Sequence, residues 1–194
     1  MSALIGGSEY GWSTLKTILT QRPNRLNVLA GKLLALLLLL VIFVVLGFIA
    51  AGVGSLIDAF LQQANVVWPP LGDILKGAGA MLFVFAAWAA IGLGLSVLFQ
   101  GTALSIGLGL VYAFVIEGLI GGFAASNDII KTINKGLLGT NASSLVAPLQ
   151  SSSSVFRANA SPPVGVGQAA ITLGVYVVVF VLLAAILLRQ RDVT

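Results

Sequence analysis

The sequence predicts an all-α, polytopic membrane protein with four transmembrane helices, an N-terminal cytoplasmic amphipathic helix and a short helix at the outer surface. Three observations lead there. Of 194 residues, 58% are hydrophobic and only 8% are charged, whereas a soluble domain carries about 25% charged residues; the mean hydropathy is +1.07. Four runs, Leu33 to Leu56, Gly77 to Phe99, Ala103 to Phe123 and Ala169 to Leu188, can each cross a hydrocarbon core of about 30 Å, which needs roughly 20 apolar residues. Within them Glu117 alone is charged.

The first polar stretch, "SEYGWSTLKTILTQRPNR", has helical periodicity. Ser8 is an N-cap candidate with Glu9 in the first turn, where an acid suits the helix dipole. Trp12, Leu15, Ile18 and Leu19 form one apolar stripe, with Thr14, Lys16, Thr17 and Gln21 opposite. Pro23 ends this helix and Asn24 can cap the next. Arg25 and Lys32 then anchor the start of the first span, as Arg189 and Arg191 anchor the end of the last, by reaching for headgroups. On amphipathicity alone, the segment reads as a juxtamembrane helix lying on anionic lipid.

The remaining elements follow in order. "VVWPPLGD" returns the chain after the first span: Trp68 suits an interface and Pro69-Pro70 stops a helix. The turn Gln100 to Thr102 is so short that the second and third spans must be antiparallel neighbours. In "SNDIIKTINKGLLG", Ser126 or Asn127 caps a helix whose Ile129, Ile130, Ile133 and Leu137 oppose Asp128, Lys131, Asn134 and Lys135. Irregular chain is expected over "LQSSSSVFRANASPP". The sequons at Asn141 and Asn159 would matter only on a eukaryotic secretory route. The organisation is thus a cytoplasmic segment 1–32, a three-span bundle 33–123, an extracytoplasmic segment 124–167 and a final span with basic tail 168–194.

Charge gives orientation. Lys16, Arg22, Arg25, Lys32, Arg189 and Arg191 flank the two ends, against Lys76, Lys131, Lys135 and Arg157 on the opposite side, so the positive-inside rule puts both termini in the cytoplasm. The net charge of +4 therefore speaks of membrane lipid, and no nucleic-acid partner is expected. Cysteine and histidine are absent, which removes disulfides, thiolate chemistry and imidazole ligands. Without a histidine to serve Ser105, an HExxH motif or an Asp pair in the spans, an intramembrane hydrolase is not expected. No catalytic, cofactor-binding or metal-binding residue is assigned.

Two features have open alternatives. Gly92, Gly94, Gly107, Gly109, Gly118, Gly121 and Gly122 permit close helix approach, either inside one bundle or at a face for a second copy. Glu117 either lines a translocation path or is a shallow carboxylate under the outer segment, bonded to backbone near Gly118 or paired with Lys131 or Lys135.

Over "GSEYGWSTLKTILTQRPNRLNVLAGKLLAL" the chain resembles the coupling-helix loop of ABC type 2 permeases, the membrane subunits of bacterial ATP-driven exporters. There an acid, an aromatic-glycine or basic-glycine pair and "TL" precede a short helix, then Arg, then Gly-Lys. The matching residues are Glu9, Gly11, Thr14, Leu15, Arg25, Gly31 and Lys32. The resemblance implies an exporter permease in the bacterial inner membrane whose partners are a cytoplasmic ABC ATPase and a second copy or a related permease. It implies an ATPase interface of Glu9, Tyr10, Gly11, Trp12, Leu15, Lys16, Ile18, Leu19 and Arg22. Such permeases resemble six-span proteins, and "MSALIGG" reads as the tail of the second span, with the first two lacking. No GxxxxGK[ST] occurs, so ATP hydrolysis is expected on a separate chain and this subunit is not itself an enzyme. The alternative is a non-transporting helical subunit that braces a larger membrane complex.

Overall fold

Hydrocarbon offers no partner to a backbone N–H or C=O, so a chain this apolar must satisfy its backbone within helices. The computed structural model describes residues 2–4, 25–63, 68–124, 126–149 and 162–190, and the architecture is all-α and polytopic. The elements are α1 (Arg25–Leu61), α2 (Leu71–Phe99), α3 (Thr102–Leu110), a π-helical segment (Val111–Ile116), α4 (Glu117–Phe123), α5 (Asp128–Asn134), α6 (Leu138–Val146), a 3-10 turn (Ala147–Leu149) and α7 (Val166–Gln190). Among the described residues, four stretches are long and apolar enough to cross a membrane: Asn27–Leu61, Leu71–Phe99, Thr102–Phe123 and Val166–Leu188. Each contains one of the runs read from the sequence. The third is a composite of α3, the π segment and α4.

Local chemistry sets the boundaries. Pro69 and Pro70 precede α2, whose first turn holds Asp73 with Lys76 Nζ 3.1 Å from its carboxylate. At the other end Gln100 adopts the left-handed conformation (φ 52°, ψ 30°), which lets two residues reverse the chain into α3. Asn127 caps α5, as expected, by accepting from the Ile129 N–H at 2.9 Å.

The second span is the centre of the bundle: 44% of its apolar 18-residue window is buried, against 11%, 6% and 11% in the corresponding windows of the others. α2 packs most extensively on α7 and also touches α1, α3 and α6. At the end where α1 starts and α7 finishes, hereafter proximal, Leu29 and Leu36 of α1 meet Ala89, Leu93 and Val97 of α2 and Ala184 of α7. Toward the distal end, Ala87 and Ile91 of α2 pack with Leu173 of α7 and Leu138 of α6.

The glycines divide by location. A Cβ on Gly94 would lie 2.6 Å from Phe180 Cδ1, so this glycine allows α2 and α7 to approach closely. Residues 2–4 form a helical turn with Ala3 buried, and Ser2 sits so tightly on Gly92 that a Cβ there would collide. By contrast, a Cβ on Gly107, Gly109, Gly118, Gly121 or Gly122 would meet nothing within 4 Å. The bundle-packing reading thus describes the second-span glycines, and the third-span set is left uncovered by the described chain.

Gly94→Val should therefore destabilise the purified chain by about 1–3 kcal/mol through overpacking, whereas Gly118→Val should change its stability by less than about 0.5 kcal/mol. Reversible unfolding in bicelles compares the two, and equal losses would contradict the division.

Candidate functional site

The single short helix expected over Ser126 to Gly139 is instead two: α5 ends at Asn134 and a second helix, α6, follows and dips back into the bundle, while the stretch expected to be irregular, 149–163, lies mostly outside the described residues. α5 folds against α4, the chain turns at Lys135 to Leu137, and α6 packs between α2 and α7. Leu138, at its amino end, is wholly buried beside Leu173. Leu173 stands seven residues inside the start of α7, roughly 10 Å along the helix. The hairpin therefore re-enters the bundle beside the body of α7, and its freed backbone polar groups need partners.

Side chains from the spans and from the hairpin supply those partners. Glu117, the first residue of α4, accepts the Gly139 N–H on both carboxylate oxygens, at 2.9 and 3.0 Å. Gly139 lies in the first turn of α6, whose own N-cap position, Leu137, has no capping side chain. The carboxylate caps α6 from another helix, at the positive end of its dipole. A Cβ on Gly139 would collide with Glu117 Oε2, so glycine is the residue that admits this approach. Tyr176 of α7 donates its hydroxyl to Gly136 O at 3.2 Å. Asn141 Nδ2 donates to Lys135 O at 2.8 Å and to Leu137 O at 2.7 Å. Thr140 Oγ1 donates to Asn134 Oδ1 at 2.9 Å and ties α6 to α5.

Among the described residues, two buried polar atoms have no hydrogen bond of good geometry: the Tyr112 hydroxyl and Asn141 Oδ1. Tyr112 lies on the π segment next to Tyr176, Glu117 and the Leu138 backbone, with its ring edge-on to Trp88. The buried Asn141 amide is committed to the turn carbonyls, so the first sequon does not present an acceptor in the folded chain. Asn159 lies outside the described residues. The buried serines are likewise engaged: Ser96 Oγ donates to Leu93 O and Ser105 Oγ to Gly101 O, each on its own helix or cap.

Of the residues singled out from sequence, Glu117 has the most explicit setting, bonded to backbone from the outer segment, although at Gly139 rather than near Gly118. Glu9, Tyr10, Gly11, Trp12, Leu15, Lys16, Ile18, Leu19, Arg22 and Arg191 lie outside the described residues. Arg25 opens α1, Lys32 follows two turns later, and Arg189 stands in the last turn of α7, all toward the proximal end. Gly139, Asn141 and Tyr176 were missed by sequence reasoning. A signal did exist: Leu138, Asn141, Ala142 and Leu145 recur at helical spacing in "LGTNASSLV".

A comparison with protein families matches residues 1–116 to the ABC-2 family transporter protein. The chain belongs to the ABC-2 transporter family. Neither the curated proteins nor the solved structures gave a match. As an ABC-2 permease it is a multi-pass membrane component of an ABC transporter. The matched stretch includes the amphipathic segment, the first two spans and the third as far as the last π-helical residue, Ile116. Glu117 and the re-entrant hairpin of this ABC-2 chain lie beyond it.

Replacing Glu117 by leucine should leave the Gly139 N–H unpaired and cost about 1–3 kcal/mol. Glu117→Gln keeps an acceptor and should lose less than half as much. Equilibrium unfolding of both variants in bicelles checks this, and equal losses would mean that the carboxylate's charge, rather than its acceptor role, holds the hairpin.

Proposed function

We propose that this chain is the permease subunit of an exporter in a bacterial inner membrane, driven by a separate cytoplasmic ABC ATPase. The reading rests chiefly on one observation: the ABC-2 match covers the segment Glu9 to Arg22 together with the first two spans. Both termini then lie in the cytoplasm, and the proximal end of the bundle faces the motor. The apolar stripe of Trp12, Leu15, Ile18 and Leu19 docks on the ATPase, with Glu9, Tyr10, Gly11, Lys16 and Arg22 around it. Closure of an ATPase dimer on ATP pushes this helix, and Pro23 passes the displacement to α1. Arg25, Lys32, Arg189 and Arg191 hold the same end at the headgroups.

A second permease copy, or a related one, covers the third span. That span is the least buried of the four, and its glycines at 107, 109, 118, 121 and 122 have open space beside them. Close backbone approach between two such faces is the packing mode that glycine permits in lipid. The translocation path runs along this seam, with Glu117 near its distal end.

Changing Trp12 and Leu15 to aspartate should abolish co-purification of the ATPase while the four-span chain remains inserted. Gly118→Leu with Gly122→Leu should reduce cross-linked permease dimers at least tenfold with the ATPase contact retained. A subunit that only braces a complex would keep its ATPase neighbour in the first experiment, and that result would overturn the motor-coupling reading.

A further inference from the structure

The third span is not a continuous α-helix. Between α3 and α4, Val111–Ile116 is π-helical, and the Glu117 N–H donates to Tyr112 O, five residues back rather than four. Such a segment spends one extra residue in a turn, so everything beyond it is displaced by one residue's worth of rotation, about 100°. The residue displaced first is Glu117, which that offset aims at Gly139. In an uninterrupted α-helix continuing from α3, Ile116 would take this direction. Glu117 would then point where Gly118 now points, into open space on the glycine face.

We propose that the π segment is a register switch that moves the Glu117 carboxylate between two positions: latched on the amino end of α6, and turned to the glycine face, where it meets water or a cationic group. Several observations on different elements support this. The latch is a single backbone contact with space for no Cβ at Gly139, so small rotations of α4 break it outright. α4 is held weakly, with no buried residue and a short frayed end where Ala124 N–H turns to Gly121 O at 3.4 Å. The Tyr112 hydroxyl, inside the π segment, is buried beside Tyr176 and the Leu138 backbone without a hydrogen bond of good geometry. A carboxylate facing lipid is costly, so the turned state is favoured only when water or a cation reaches that face. Within the permease reading this exposes an acid to the seam between copies as the hairpin loses its cap. The switch itself does not rest on that reading.

The chain has no cysteine, so spin labels can be placed cleanly at Leu119→Cys on α4 and Ile171→Cys on α7, both exposed at 57% and 71%. Pulsed electron resonance on the full chain in nanodiscs then reads the rotation of α4, with no ATPase required. Glu117→Leu, which removes the cap and is at home against lipid, should move the α4 label by about 8 Å, the chord of a 100° turn on a helix of this diameter, and shift the label distance by up to that amount. Gly139→Ala, which blocks the latch sterically, should shift it the same way. Deleting Ala113 in the Glu117→Leu background removes the extra residue and should restore the original distance. If Glu117→Leu and Gly139→Ala both leave the distance unchanged, the π segment is static, Glu117 is a fixed cap and the proposal fails. A retained ATPase contact in the Trp12 and Leu15 variant with the distance shift intact would overturn the motor reading alone.

Discussion

The bonds from Gly139 to Glu117, from Asn141 to the turn carbonyls and from Tyr176 to Gly136 answer one requirement: backbone groups freed at a turn or a helix end packed beside the spans must find hydrogen-bond partners. α1, α2 and α7 meet the requirement within themselves. The Lys135 to Leu137 turn meets it only in part: its N–H groups donate to the Lys131, Ile133 and Asn134 carbonyls, while its own carbonyls lie outside a regular helical ladder. Side-chain donors to those carbonyls come from Asn141 of the following helix and Tyr176 of the fourth span, and the third span adds the Glu117 cap on Gly139. Burial of Leu138 against Ala87, Ile91 and Leu173 fixes the depth, and the polar contacts fix the orientation.

The two halves of the molecule are held differently. At the proximal end the cohesion is apolar packing of α1, α2 and α7, with Gly94 giving Phe180 room. At the distal end the apolar packing of Ala87, Ile91, Leu138 and Leu173 is joined by a few directed bonds, and one, Glu117 to Gly139, crosses from the least covered span. Close apolar packing resists sliding, as the fit of Phe180 on Gly94 illustrates, whereas a capped helix end is either capped or not.

Much of this was legible in the residues. Leu33 to Leu56 and the other three runs announced the spans because lipid imposes a length and an apolar composition on any helix that crosses it. Asn127 announced the cap of α5, and Pro69-Pro70 the break before α2. α6 was less legible because "GTNASS" is polar and rich in small residues, the usual composition of a loop. What makes it a helix is the packing of α6 against α2 and α7, with Leu138 beside Ala87, Ile91 and Leu173 far away in sequence. The π segment left no trace in "VYAFVI", which reads as an ordinary apolar stretch, since a one-residue register offset alters direction and not composition.

The chain alone therefore established the number of spans, the polar segment before the first, the family likeness and the singular acid in the third. Each is written in local composition, which a bilayer reads directly. The tertiary structure decided which glycines are filled and which stay open, and that the acid caps a helix more than twenty residues later in the chain. These depend on which helix faces which, a relation set by side chains meeting across the bundle.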